Sequence, residues 1–286
     1  MSYLQNIRDF LNYACIDGYK DSHIHLTKYD QHPTIRRQSK PIQIDFYLLA
    51  IKLNYNKKQD YGQTEWDQAD SFVYLDQPGN YLEWSLDETL SGYHILIDAT
   101  IFKKLARDYN FIHYSNHEGL FITNEEENII TNLFKNAYTE FRKDAFSKDV
   151  VLSYAVLILS YIQTFYNRQF DTRAKIYKEA VSEFYKNLED YYNNDKPVHH
   201  TPTVSYFAEK ANLSANYFGD MIKHYTGSSP QEHIQQLIIQ IAKKKLRNTS
   251  LTISEIAYSL GFDYPTYFIR IFKKATGITP NVFRNQ

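Results

Sequence analysis

Thr203-Val204-Ser205-Tyr206-Phe207-Ala208 and Thr252-Ile253-Ser254-Glu255-Ile256-Ala257 are two copies of one phrase, set 49 residues apart. Further along the offset becomes 50. Tyr217-Phe218 then corresponds to Tyr267-Phe268, Lys223 to Lys273, and Thr226-Gly227-Ser228-Ser229-Pro230 to Thr276-Gly277-Ile278-Thr279-Pro280. Each copy reads as a short helix, a tight turn and a second helix stopped by Thr-Gly and Pro, which is a helix-turn-helix. A tandem pair of such units is a device for reading DNA.

The second copy shows the physics. Thr252 with Glu255 three residues on is a capping box, so a helix starts there. Ile253, Ile256, Ala257 and Leu260 mark its buried face. Gly261 is the residue best able to take the left-handed conformation that redirects the chain. Asp263 is the expected N-cap of the next helix, and Pro265 falls in its first turn, where a missing N–H costs little. Phe268, Ile271, Phe272 and Ala275 recur at helical spacing and should face inward, leaving Thr266, Ile269, Arg270 and Lys273 outside. In the first copy Ser214 is the cap. Phe218, Met221, Ile222 and Tyr225 point inward there, and Asn216, Gly219, Asp220 and Lys223 outward.

The repeated residues read mostly as scaffold: Ala208 and Ala257 let helices approach closely, and the Tyr-Phe pairs are chiefly packing. Base reading belongs where the copies differ, at Asn216 against Thr266 and Asp220 against Arg270. An arginine in a major groove favours guanine, and an asparagine favours adenine. Solvated surface is the alternative for both pairs, and a carboxylate at Asp220 repels phosphates.

The run Ile256-Ala257-x-x-Leu260-Gly261-Phe262, then Tyr267-Phe268-Ile269-Arg270-Ile271-Phe272-Lys273-Lys274, then Gly277-Ile278-Thr279-Pro280-x-x-Phe283-Arg284, resembles the signature of AraC-type transcriptional regulators. The resemblance extends over residues 174–286. It implies an all-α domain of two helix-turn-helix units joined by a connector helix, here Pro230 to Arg247, about 27 Å long at the usual rise. That connector ends in Lys243, Lys244, Lys245 and Arg247, which suit phosphate contact or a solvated face. Where many relatives carry a connector arginine, Ile238 stands. The residues expected to face double-stranded DNA are Ser214, Asn216, Lys223, Thr266, Arg270, Lys273 and Lys274.

Charge divides the chain in the same way. The net charge is −1, yet residues 174–286 hold 14 Lys+Arg against 10 Asp+Glu, and the first 173 hold 18 against 23. A mildly basic tail points to affinity from base contacts, shape and dimerisation more than from bulk phosphate attraction. Hydrophobic residues at 43% exclude global disorder. The single cysteine, Cys15, excludes an internal disulfide and fits a reducing compartment. Residues 1–14 contain Arg8 and Asp9 and do not read as a signal peptide. The most apolar segment, residues 150–162, is too short to span a bilayer and reads as a buried helix. A cytosolic protein without a membrane partner is expected.

The front of the chain reads as strands and then helices, making the whole an α+β, two-domain protein. Ile42, Ile44, Phe46 and Leu48 alternate with polar or half-polar neighbours in a strand pattern. Phe72 to Leu75 and Tyr93 to Ile97 are two more strands, separated by turn residues at Gln77-Pro78-Gly79-Asn80 and Ser91-Gly92. From Glu125 the period becomes helical, with Ile129, Ile130, Leu133, Phe134, Ala137, Tyr138 and Phe141 in one stripe and an apolar helix near 149–166 behind it. Residues 167–173 read as a linker. Strands followed by two helices, with Leu75-Asp76-Gln77-Pro78-Gly79 and Gly92-Tyr93-His94-Ile95-Leu96-Ile97-Asp98, resemble AraC-type sensing domains. The resemblance implies a cupin-like β-barrel over residues 1–166 with appended dimerisation helices, a homodimer, a small-molecule effector and RNA polymerase as a further partner. Tyr47, Tyr74, Trp84 and Tyr93 are candidate pocket residues, with ordinary packing as the alternative for each.

The competing class is a metal-dependent cupin enzyme. Gly18, His23, His25 and Asp30 loosely follow a glycine, His-x-His, acid pattern suited to a first-row metal. The order is wrong, the pair lies upstream of the clearest strands, and no fourth ligand stands out. Neither a cofactor nor catalysis is therefore expected. A non-specific architectural DNA binder, the third class, fits poorly with the modest charge.

Overall fold

Asn6 opens the first helix by accepting the Asp9 N–H at 2.9 Å, and α1 (Ile7–Ala14) then buries Ile7, Phe10, Leu11 and Ala14 on one side. The computed structural model describes residues 6–285 apart from 56–57, 66, 68, 87–88, 106–108, 116–117 and 194–197. The chain divides into two compact units, Met1–Arg173 and Ala174–Gln286.

In the first unit the strands are β1 (Ile24–Lys28), β2 (Ile42–Gln43), β3 (Phe46–Leu53), β4 (Phe72–Asp76), β5 (Tyr81–Leu82), β6 (Ser91–Asp98) and β7 (Leu120–Phe121). Five of them form an antiparallel sheet in the order β1-β6-β3-β4-β7, and β2 pairs with β5 alone. The expected barrel does not form: among the described strands no ladder closes the sheet on itself, and β1 and β7 are its edges. Ser91-Gly92, expected as a turn, instead begin β6, where they pair with Leu53 and Lys52 of β3. The alternation expected through residue 48 also stops short. Phe46 to Lys52 are all buried, because β3 lies mid-sheet with elements on both faces. One face receives α1. On the other, α2 (Ala99–Leu105) stacks Phe102 on Tyr47 with ring centroids 3.8 Å apart, and α3 (Asn124–Arg142) brings Phe134 against Tyr93.

Helix α3 begins with a capping box of Thr123 and Glu126 and turns Ile130, Phe134, Ala137, Tyr138 and Phe141 inward. Helix α4 (Lys148–Thr172) packs beside it and is longer than the apolar run suggested. At 25 residues, with a mean hydropathy of 1.4 over its most apolar window, it is long and apolar enough to cross a membrane, although 44% of that window is buried inside the unit. The stretch expected to be a linker is in fact the end of this helix. Gln169 there accepts the Phe121 N–H at 2.8 Å and donates to the Gly119 carbonyl at 3.2 Å, extending the hydrogen bonding of β7. A polar side chain that completes a sheet edge is indistinguishable, in sequence, from one in a linker.

Among the described residues the elements of the second unit are all helices: α5 (Ala174–Asn193), α6 (Val204–Lys210), α7 (Ala215–Thr226), α8 (Pro230–Asn248), α9 (Ile253–Ser259), α10 (Pro265–Thr276) and α11 (Pro280–Arg284). Ser214 caps α7 and Thr252 with Glu255 boxes α9, both as expected. Ser229 with Glu232 boxes α8, whose Ile234, Ile238, Ile239, Ala242 and Leu246 are buried. Ile238 is therefore a core residue, which accounts for an aliphatic side chain at that position. Phe184 on α5 packs edge-on against Phe207 and Phe218, so α5 is part of the first helix-turn-helix core.

Candidate nucleic-acid interface

Two helix-turn-helix units are present, α6 with α7 and α9 with α10. Their turns use the same left-handed conformation with different residues. Gly261 has φ +84° and Asn212 has φ +54°. Gly261 is also sterically required, since a Cβ there would fall 2.4 Å from the backbone carbon of His200. Glycine and asparagine are the residues that visit this region most readily.

Of the side chains expected outward, Asn216, Lys223, Thr266, Arg270, Lys273 and Lys274 are exposed on α7 and α10. Ser214 is half-buried, and its hydroxyl accepts the Tyr217 N–H at 3.3 Å. Ala275, expected inside, is exposed. Asp263 is not a cap: Tyr264 takes that position with no side-chain bond, and Asp263 instead meets His200 at 3.5 Å. The connector cations are mostly engaged within the unit. Lys245 donates to the Ser259 hydroxyl at 2.9 Å, and Lys243 and Arg247 lie over the Phe283 ring at 5.8 and 4.9 Å. Lys244 is exposed.

The repeated tyrosines differ. Tyr217 is fully buried, its hydroxyl 2.5 Å from that of Tyr177 on α5. Tyr267 is 46% exposed, and the Arg270 guanidinium lies 5.0 Å from its ring centroid. Tyr264, just before α10, is 72% exposed. The second reading helix thus presents Tyr264, Thr266, Tyr267 and Arg270 together at its N-terminal half. Sequence reasoning assigned Tyr267 to packing by analogy with its repeat partner. The only available signal was that Tyr177, which buries Tyr217, precedes the first copy.

The first unit holds a cavity of about 80 Å³ against α1 and the sheet, with Lys52, Tyr74, Asp76, Trp84 and His94 in its wall. Tyr74 and Trp84 are thereby brought together, whereas Tyr47 and Tyr93 lie against Phe102 and Phe134 on the other face. Burial pulls the Lys52 ammonium down to about 7 and pushes the Asp76 carboxyl up to about 6. Desolvation holds His94 well below its ordinary value. The metal pattern does not assemble. His23 meets Asp21 at 3.6 Å, Asp30 pairs with Lys28 at 3.4 Å, and His25 is buried against Phe141. Gly18 stands in a left-handed turn with φ +90°. Among the described residues no group of three or more His, Cys, Asp or Glu side chains is arranged to hold a metal ion.

Comparison with known proteins bears on the second unit. A family described as a helix-turn-helix domain matches residues 207–286. Over 83 residues the chain is 34% identical to the HTH-type transcriptional activator RhaR of Cronobacter sakazakii, which is 29% of each chain. Over 148 residues it is 32% identical to YfiF, an HTH-type transcriptional regulator of Bacillus subtilis, spanning 50% of this chain and 45% of that one. The solved C-terminal domain of the two-component response regulator YesN from Fusobacterium nucleatum is 33% identical, with TM-score 0.33, over 37% of this chain and 98% of that one. The chain spans less than half the length of these curated relatives.

Proposed function

We propose that residues 207–286, which match a helix-turn-helix domain family, form an AraC-type DNA-binding domain, and that the whole chain is a sequence-specific transcription regulator rather than an enzyme. The observation that carries this reading is the exposed row Thr266, Tyr267 and Arg270 on α10, within the matched family region. Arg270 is the base reader, suited to guanine in the major groove. Thr266 and Asn216 are the further base contacts, and Lys223, Lys273 and Lys274 face phosphates, which set register more than sequence. Ser214 contributes as the cap that aims α7.

The first unit senses a small effector in its cavity and pairs two copies through α3 and α4. Ile129, Val150 and Leu157 on those helices are 37%, 41% and 43% exposed, an apolar surface that a two-fold partner would cover. Pairing supplies the affinity that a mildly basic reading domain lacks, because linking two modules raises effective concentration. Acting on transcription in this way makes RNA polymerase a further partner and the cytosol the site of action.

Selection of bound sequences from a random DNA pool tests the reading. A defined motif with two half-sites is expected. Recovery of unrelated sequences would leave non-specific binding instead.

A further inference from the structure

The cavity of the first unit is lined by opposite charges that do not meet. In the register of β3 and β4, Leu48 pairs with Asp76, Ala50 with Tyr74 and Lys52 with Phe72, while Ala50 also pairs with His94 on β6. Side chains two apart on a strand share a face, so Lys52, Tyr74, Asp76 and His94 all project to the cavity side. All but Tyr74 are at most 4% exposed. Glu83, the other charged residue of the wall, is exposed at its rim.

Among the described residues neither buried charge is in a salt bridge, and Asp76 and Asp60 act on Lys52 only from longer range. Lys52 Nζ donates to the Tyr61 hydroxyl at 2.7 Å and lies 4.3, 4.7 and 5.3 Å from the ring centroids of Tyr55, Tyr61 and Tyr74. Those rings stabilise a cation only modestly compared with a carboxylate. Asp76 Oδ1 accepts from Asn80 Nδ2 at 3.1 Å, but Oδ2 is buried with no hydrogen-bond partner, as is His94 Nε2. Burying an ammonium and a carboxylate without pairing them costs several kcal/mol for each. A fold that keeps both at one cavity is arranged for something that completes them.

Resting on the reading of this unit as an effector domain, we propose that the cavity binds a small zwitterion, its carboxylate on Lys52 and its ammonium on Asp76. A carboxylate alone satisfies Lys52 but brings a second anion beside Asp76, and an amine alone does the converse. A neutral polyol offers hydrogen bonds and leaves both charges uncompensated. Much of the rest of the wall, including Phe10, Leu48, Leu82, Trp84 and Leu86, is apolar and disfavours a ligand with net charge. At about 80 Å³ the space is roughly half that of an engineered cavity that admits benzene, which limits the ligand to about half a dozen heavy atoms. Glycine, alanine and β-alanine are of that size and charge. Burial is the main cause of the low ammonium value of Lys52 and the high carboxyl value of Asp76, and the long-range attraction between the two charges offsets it only in part.

The test titrates the full chain with glycine, L-alanine and β-alanine at millimolar concentration, reading tryptophan fluorescence and melting temperature. Acetate, methylammonium and glycerol are the comparison probes. Saturable binding of at least one amino acid is expected, with no response to the other three, and Lys52→Met and Asp76→Asn should each weaken it by about tenfold or more. Binding of acetate or glycerol without any amino acid overturns the zwitterion assignment while keeping the cavity as an effector site. Silence from all six probes overturns both readings. Undiminished amino-acid binding in both variants also overturns the assignment. Should either variant fail to fold, the probe series on the unaltered protein decides by itself.

Discussion

Arg173 and Asp67 form a buried ion pair. The guanidinium donates to both carboxylate oxygens, at 2.7 and 3.2 Å, and the two side chains are 4% and 2% exposed. Asp67 also receives the Thr64 N–H and hydroxyl, and Arg173 also reaches the Gly62 carbonyl. The pair ties the cap of α4 to the segment that carries Tyr61, which in turn holds Lys52 at the cavity. Asp67→Ala should destabilise the first unit by about 3–5 kcal/mol, since it takes the carboxylate away from a buried guanidinium. Denaturant unfolding of the full chain checks this, and a loss below about 1 kcal/mol would show the pair to be dispensable.

Arg270→Ala should weaken cognate DNA binding by about 1–3 kcal/mol and relax preference at one base pair. Tyr267→Ala, which removes only the ring beneath the guanidinium, should cost about 0.5–1 kcal/mol at the same position. Titrations on cognate and single-base-substituted duplexes decide the matter. Equal losses on all sequences for Arg270→Ala would mark it as a phosphate contact.

Gly261→Val should unfold the second helix-turn-helix selectively. The left-handed φ costs a β-branched residue about 1–2 kcal/mol, and the new Cβ also collides with His200 backbone. Asn212→Gly, at the corresponding left-handed turn, should be close to neutral because glycine adopts it freely. Thermal melting of the two variants should therefore diverge, and equal melting temperatures would contradict the account of the turn.

The two cavity charges should shape the pH dependence of stability in opposite directions. Asp76 has a folded value of about 6 against an ordinary 3.8, so the folded state holds the extra proton between them and stability falls as pH rises through that window. Lys52 has a folded value of about 7 against 10.5, so the unfolded state holds the extra proton and stability rises across that window. Relative to wild type, Asp76→Asn should gain stability from about pH 4 to pH 6 and then hold that gain. Lys52→Met should lose its advantage as pH rises above about 7. Parallel melting curves for wild type and both variants across pH would refute the burial of these charges.

A fragment beginning at residue 174 should be monomeric by light scattering and bind a complete operator more weakly than the full chain while keeping its sequence preference. The full chain should be a dimer, and changing Leu157 to Glu should dissociate it. A dimeric fragment, or a monomeric full chain at micromolar concentration, would move the pairing surface elsewhere.

Much of the second unit was legible because its signals are local. Capping boxes, helical periodicity and a turn residue with positive φ each act within a few positions, so Thr252 with Glu255, Gly261 and the buried pair Phe268 and Phe272 of α10 could be read in order along the chain, while Ala275, expected inside, is exposed. The sequence by itself determined the two helix-turn-helix units and the outward row that includes Thr266 and Arg270. What lay beyond it came from residues distant in sequence. Tyr217 is buried and Tyr267 is not because Tyr177, 40 positions before the first of them, lies on it. The end of α4 is not a linker because Gln169 completes β7 some 48 positions away, and Arg173 meets Asp67 across 106. The cavity with Lys52 and Asp76 depends on strand register and on how three ladders stack their side chains onto one face. Only the tertiary structure decided these, because alternation along one strand says which residues share a side, and only packing says what that side meets.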